Sequence, residues 1–288
     1  MFTSPAIAVS ILVLIIPIGY TVVLSLQKER VTGGLIGTKE PVFVGLENFA
    51  EVLTDGAFWA SVQRMLHYGV IFAPVMMIAA LGLALIIDAL KTRFSGFARL
   101  MIFLPFAIPG VVAAIMWGFL YLPQVSPIGQ AFELFGLSAP SFLDSGMLYV
   151  SLANISIWGV VGFNTVLIYT ALRTIPQEVI DSARVDGCGQ WRIALNIKLP
   201  MILPAIVLTT IFALIGTLQV FTEPQLLKPL TTAISTDFMP MMNIYNQAFR
   251  QSDFNGAAAS SLILAAMTLI GSLVVLGLSR RRLTETER

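Results

Sequence analysis

Long apolar runs recur along the chain at about 5–26, 66–87, 98–122, 147–170, 202–222 and 257–279. Each approaches or exceeds the roughly 20 apolar residues that a helix needs to cross the hydrocarbon core of a bilayer. The runs are continuous rather than alternating, which predicts helices and argues against barrel strands. Pro17, Pro74, Pro105, Pro109 and Pro204 lie inside or at the ends of these runs. Neighbouring helices can satisfy the carbonyls a proline frees, so kinks are expected there. The first run has no basic segment before it, exceeds the apolar length of a signal peptide and shows no small-residue cleavage site, so it is expected to be a retained span. The pattern predicts an all-α integral membrane protein with six transmembrane helices, residues 1–288 forming a single transmembrane domain. The longest polar interval, 27–64, is too short for an independent soluble core.

Composition agrees with lipid as the solvent for much of the surface. The chain is 57% hydrophobic and 11% charged, against roughly 25% charged in a soluble domain. Its net charge of +1, without any run of bases interleaved with aromatics, excludes a nucleic-acid partner. Charge is unevenly shared between the two sets of loops. One set holds Lys91, Arg93, Arg99, Arg173, Arg184, Arg192, Lys198, Arg280, Arg281, Arg282 and Arg288. The other holds Lys28, Arg30, Lys39, Arg64, Lys228 and Arg250, together with most of the acids. Bases concentrate on the cytoplasmic side, which predicts a multi-pass protein with both termini inside and with loops 27–64 and 223–256 outside.

Several chemistries are missing. No G-x-x-x-x-G-K-[ST] phosphate loop is present, so nucleotide is not bound by that route. His67 is the single histidine, expected to pack or sit at the interface, and no Cys/His cluster has metal-ligating spacing. Cys188 is the single cysteine and is read as a small packing residue. No acid sits in the middle of a span, where a proton or sodium relay would place one; Asp88 comes nearest, at the cytoplasmic end of the second. Six spans with neither an ion site nor an ATPase are either passive or driven by a partner.

The interval between the fourth and fifth runs, 174–200, is different in kind. In "IPQEVIDSARVDGCGQWRIALNIKLP", Thr174, Pro176 and Glu178 give helix-start signals, with the acid where the macrodipole favours it. Gly187 can take the left-handed conformation that ends a helix, and a second helix is expected from Gln190 to Lys198, stopping before Pro200. Val179, Ile180, Ala183, Ile193, Ala194 and Ile197 recur at helical spacing and offer a face to bury. Such an element suits a groove on another protein, or it folds back on the membrane surface.

These residues resemble the cytoplasmic "EAA" loop of permease subunits of binding-protein-dependent ABC importers. Glu178, Ala183, Asp186 and Gly187, then Ile197, Leu199, Pro200 and Pro204, match that motif. Asp181, Ser182 and Cys188 stand where the family has Glu, Ala and Ala. "FVGLENF" and "DGAFW" in the first outer loop are similar to the carbohydrate-uptake branch, in particular the maltose and glycerol-phosphate "first" permeases. So are "FARLMIFLPFAIPGVVAAIMWGFLY" and "IYNQAFRQSDFNGAAAS". The chain departs from that branch in lacking its G-G-P after span five and its basic N-terminal tail.

The resemblance implies a non-enzymatic subunit of a sugar importer in a prokaryotic inner membrane, with a coupling helix in loop 174–200. It implies a second homologous permease, a dimer of ATPase subunits and an extracytoplasmic substrate-binding protein as partners. ATP and magnesium would belong to the ATPase, leaving this chain without a cofactor or metal. Glu178, Asp181, Ala183, Asp186, Gly187, Leu199 and Pro200 would carry the coupling role. For the solute path, polar side chains within spans are the candidates, because lipid disfavours them elsewhere. Asn154, Trp158 and Thr165 share one face of span four, and Thr210 and Thr217 one face of span five. Gln219 and Glu223, near the outer mouth, are candidates for a gate or for docking the binding protein. The same polar residues also join helices in membranes. An importer for another solute, or a passive channel or scaffold, are the readings that compete.

Overall fold

The computed structural model describes residues 3–32, 38–89 and 95–286. Lys91, Arg93 and Arg288, counted above among the inward-facing bases, lie outside them. Helices dominate. They are α1 (Ser4–Ser25), α2 (Glu47–Thr54), α3 (Gly56–Ala89), α4 (Ser95–Phe103), α5 (Gly110–Tyr121), α6 (Pro127–Leu134) and α7 (Leu148–Leu172). There follow α8 (Gln177–Val185), α9 (residues 190–201), α10 (Leu203–Leu218), α11 (Thr222–Leu227), α12 (Pro240–Phe249) and α13 (Phe254–Thr286). A hairpin of β1 (Gln27–Thr32) and β2 (Thr38–Phe43) pairs Gln27 with Phe43 and Thr32 with Thr38. Among the described residues five helices are long and apolar enough to cross a membrane, and a sixth span results if the bent pair α4–α5 counts as one.

The prolines act in three different ways. The expected third span, 98–122, is not one rod: α4 passes into a 3₁₀ turn at Leu104–Ala107, and α5 starts at Gly110 after a bend of 93°. Pro105 and Pro109 bracket the break, where Ile108 is extended and Pro109 takes the N-cap position of α5. Pro74, by contrast, sits inside α3 without ending it. Pro204 falls in the first turn of α10, where its missing N–H has no intrahelical partner to lose.

Two boundaries differ from the expected ones. The second span begins ten residues before 66, at Gly56. Asp55 caps it, its carboxylate accepting from the backbone N–H of Ala57 at 2.8 Å and Phe58 at 3.3 Å. The polar residues Gln63 and Arg64 hid this extension from an apolar count. The intervals 27–64 and 223–256 are also structured: the first holds the hairpin, α2 and the start of α3, the second most of α11 and all of α12.

The chain divides into two compact units, residues 1–65 with 235–269, and residues 66–234 with 270–288. In the first, buried amides tie helix ends to neighbours. Asn48 Nδ2 donates to the carbonyls of Ser25 and Gln27 at 2.8 Å each, and Asn255 Nδ2 donates to that of Leu24 at 2.8 Å. These bonds satisfy carbonyls left over where α1 stops. Arg64 donates to the carbonyls of Asp237 and Phe238 and lies over the Phe238 ring. Lys28 pairs with Glu51 and Glu47, and the hydrogen bond to Glu51 is the main reason its ammonium is held above the ordinary lysine range.

The second unit contains α4 to α11. Backbones approach closely at Gly162 in α7. A Cβ there would stand 2.0 Å from the carbonyl oxygen of Ile102 and 3.0 Å from Phe103 Cα, where α4 gives way to the 3₁₀ turn. Small residues let membrane helices approach in this way. His67 packs beside Tyr149 with ring centroids 6.1 Å apart.

Replacing Gly162 by alanine is therefore expected to destabilise the chain by about 1–3 kcal/mol through overpacking. Gly159, whose Cβ would meet nothing within 4 Å, is the control. Thermal unfolding in detergent, followed by monodisperse yield, should show the loss for Gly162→Ala and not for Gly159→Ala.

Candidate coupling site and solute path

The segment after α7 folds on itself through one turn. The N–H of Gly187 bonds to the carbonyl of Arg184 at 3.0 Å, and that of Cys188 to the carbonyl of Ala183 at 2.9 Å. With Gly187 at φ 79°, this is a Schellman motif, the left-handed position taken by the residue with no Cβ to strain. The reversal brings α8 and α9 together around Ile180, Ala183 and Ile193, which are buried, with Ile175, Cys188 and Ile197 packed against them. Cys188 is a free, half-buried thiol in this small core. Val179 and Ala194, expected on the same face, are half-buried.

Two local expectations need correction. Thr174 does not cap α8; its hydroxyl donates to the Ala171 carbonyl at the end of α7, and Pro176 takes the N-cap position instead. Nor does the second helix stop before Pro200. Residues 194–198 form a π turn in which the N–H of Leu199 reaches the carbonyl of Ala194, and the helix continues through Pro200 to Met201. Wider turns of this kind can absorb a proline that donates no N–H.

The outward surface is charged but not wholly polar. Asp181 accepts from Gln177 at 3.0 Å and from Arg184 at 2.9 Å. Glu178 lies in the first turn of α8 and Asp186 at its C-cap, both exposed and without a side-chain partner among the described residues. Leu199 is half-buried and Pro200 exposed. Between these charges, Val185 is 88% and Trp191 80% exposed. A Trp and a Val thus stand uncovered amid Arg184, Asp186 and Arg192. The sequence reading missed both, because they lie off the face that closes the small core.

The candidate path residues have varied surroundings. Asn154 Nδ2 donates to the Tyr121 hydroxyl at 2.9 Å, and that hydroxyl donates to the Ser151 carbonyl at 3.1 Å. Trp158 meets Trp117 edge to face with centroids 6.0 Å apart, and Trp117 adjoins Tyr121 at 5.6 Å. Asn154 and Trp158 thus belong to one aromatic cluster between α5 and α7. Thr165 is fully enclosed, its hydroxyl donating to the Val161 carbonyl at 2.7 Å. Thr210 and Thr217 donate to the carbonyls of Ile206 and Ala213, each at 2.8 Å. Thr217 is buried against Gly69, where any Cβ would clash with its methyl. Gln219 is exposed, whereas Glu223, in the first turn of α11, accepts from Ser156 Oγ at 2.8 Å. Tyr121 and Trp117 escaped the sequence reading because the bend at Pro105–Pro109 places α5 against α7, and Ser156 because its partner Glu223 lies on α11. Trp117 Nε1 and Asn164 Oδ1 are buried without a hydrogen-bond partner. Among the described residues no group of three or more His, Cys, Asp or Glu is placed to hold a metal.

Residues 80–282 match the family described as "Binding-protein-dependent transport system inner membrane component". The chain is similar to the lactose transport system permease protein LacF of Rhizobium radiobacter, 29% identical over 98% of this chain and 94% of that protein. It is 28% identical to the sn-glycerol-3-phosphate transport system permease protein UgpA of Pectobacterium atrosepticum, over 81% of this chain and 78% of that one. In fold it resembles a chain in the crystal structure of a bacterial alginate ABC transporter in complex with an alginate pentasaccharide-bound periplasmic protein. The TM-score is 0.83 with 21% identity, covering 98% of this chain and 93% of the other.

Gly187→Ala forces a Cβ into the left-handed region and is expected to cost the α8–α9 turn about 1 kcal/mol. Amide exchange checks this directly: the N–H groups of Gly187 and Cys188 should exchange about fivefold faster, with those of α7 unchanged.

Proposed function

The chain belongs to the binding-protein-dependent transport system inner membrane components, and from that premise we propose that it is one of two permease subunits of an ATP-driven importer of neutral sugars. As a transport subunit it moves its solute without transforming it. The likeness to a lactose permease protein over 98% of this chain carries the sugar assignment. The chemistry of the spans agrees with it. No Lys, Arg, Asp or Glu occurs in α5, α7 or α10; the polar groups there are hydroxyls, amides and indoles, which suit sugar hydroxyls and the apolar face of a pyranose. A phosphorylated solute, as in the name of the UgpA relative, would call for a cation along the path.

In this reading the six spans act as one transmembrane domain over residues 1–288, with both termini in the cytoplasm. A second, homologous permease completes the cavity. Two ATPase subunits, which hold ATP and magnesium, sit beneath, and a substrate-binding protein docks outside. Residues 177–201 are the coupling element. Glu178, Asp181, Asp186 and Gly187 fix its form and outer charge, Ala183 its core, and Leu199 and Pro200 its junction with α10. Val185 and Trp191 enter the cleft of the ATPase. Solute passes Asn154, Trp158, Thr165, Thr210 and Thr217, the enclosed threonines becoming accessible as helices move. Glu223, held by Ser156, and exposed Gln219 gate the outer mouth.

Trp191→Asp is expected to weaken ATPase association at least tenfold, as loss of an aromatic anchor does. Co-purification of the ATPase with the permeases checks it; retention at the parental level would remove the docking role. Proteoliposomes holding the whole complex should import labelled lactose in preference to glycerol 3-phosphate. The reverse preference would overturn the neutral-sugar assignment.

A further inference from the structure

Asp88 and Lys198 form the most enclosed of the described ion pairs. Lys198 Nζ lies 2.5 Å from Asp88 Oδ2, with the two side chains 15% and 11% exposed. The residues are 110 positions apart and belong to different elements. Asp88 stands in the last turn of α3, where the macrodipole disfavours a carboxylate and no basic residue of that turn offsets it. Lys198 closes the π turn of α9, one residue before Leu199 and Pro200. The charge that α3 lacks is thus supplied by the segment between α7 and α10.

Asp88 and Lys198 border a cleft of about 1270 Å³ that is also lined by Arg99, Arg173, Ile180 and Gln190. Across that space there is room where packing would otherwise hold α8 and α9 to the ends of the spans. The chain itself joins the segment to α7 at residues 173–176 and to α10 at 199–202. The ion pair adds a connection to α3. A buried pair gains about as much from attraction as it loses in desolvation, so it contributes position more than stability.

We propose that the Asp88–Lys198 pair is a strut that makes the end of α3 move with residues 177–201, so that the segment drives three spans and not two. Both are positioning residues. The inference rests on the reading of 177–201 as the coupling element.

The test uses the whole complex, with Cys188→Ser to leave no native thiol in this chain, partner subunits also freed of cysteine, and spin labels at Ile86 on α3 and Leu195 on α9, both exposed. Distances are measured by pulsed electron resonance without nucleotide and with ATP trapped by vanadate. With the pair intact, the Ile86–Leu195 distance should stay narrow and unchanged. In Asp88→Asn or Lys198→Met it should shift by roughly 2 Å or more when ATP is trapped, the scale of helix shifts in such transitions. The exchanged pair, Asp88→Lys with Lys198→Asp, should restore the fixed distance. A distance as constant in the single variants as in the parent overturns the strut. Where neither single variant assembles, the exchanged pair decides, and a shift in it overturns the proposal. Failure of the coupling reading is seen separately: if Trp191→Asp sheds the ATPase while Asp88→Asn keeps the distance fixed, only the strut is wrong.

Discussion

In hydrocarbon a peptide group has no water to bond, and this constraint governs the molecule. Each backbone N–H and C=O must find a partner within the protein, so spans are helices and breaks occur only where protein covers them. The bend of 93° between α4 and α5 is the clearest case. Pro105 and Pro109 interrupt the ladder, a 3₁₀ turn carries the chain between them, and Gly162 of α7 lies against the exposed backbone with no side chain in between. The two π turns, at Ile11–Ile15 and Ala194–Lys198, precede Pro17 and Pro200 and shift the hydrogen bonding where those residues donate none.

The same constraint explains what the sequence made readable. Twenty-residue apolar runs have few conformations open to them, so the spans and the all-α class could be read directly. Their ends could not, because helix boundaries depend on individual hydrogen bonds. Asp55 starts α3 ten residues early by accepting from Ala57 and Phe58, in a stretch whose Gln63 and Arg64 look like loop. The proline kinks were legible as positions but not as kinds: Pro74 passes through a helix, Pro204 begins one, and Pro105 with Pro109 turns the chain. Contacts between α5 and α7, including the Asn154–Tyr121 bond and the Trp117–Trp158 pair, follow from that turn. No periodicity along either helix announces them.

The segment 177–201 was legible to a different degree. Gly187 as a left-handed helix end and the apolar triad Ile180, Ala183 and Ile193 are local features, and local patterns specify them. What lies opposite the triad was overlooked. Val185 and Trp191 do not repeat with the buried face, so a search for amphipathic spacing discards them, yet they are the exposed apolar pair on which the proposed docking rests. The segment thus has an inner core that keeps it rigid and an outer apolar pair set among charges. In the proposed coupling role rigidity matters, because a soft element would absorb a push instead of passing it to the spans.

In the proposed function this outer surface is seated in the ATPase of an importer. Hydrogen–deuterium exchange of the permease pair, with and without the ATPase, tests it most directly. Protection on ATPase binding should concentrate between Val185 and Arg192, with the hairpin at Gln27–Phe43 unchanged. Unaltered exchange across residues 177–193 in a complex that retains its ATPase would contradict it.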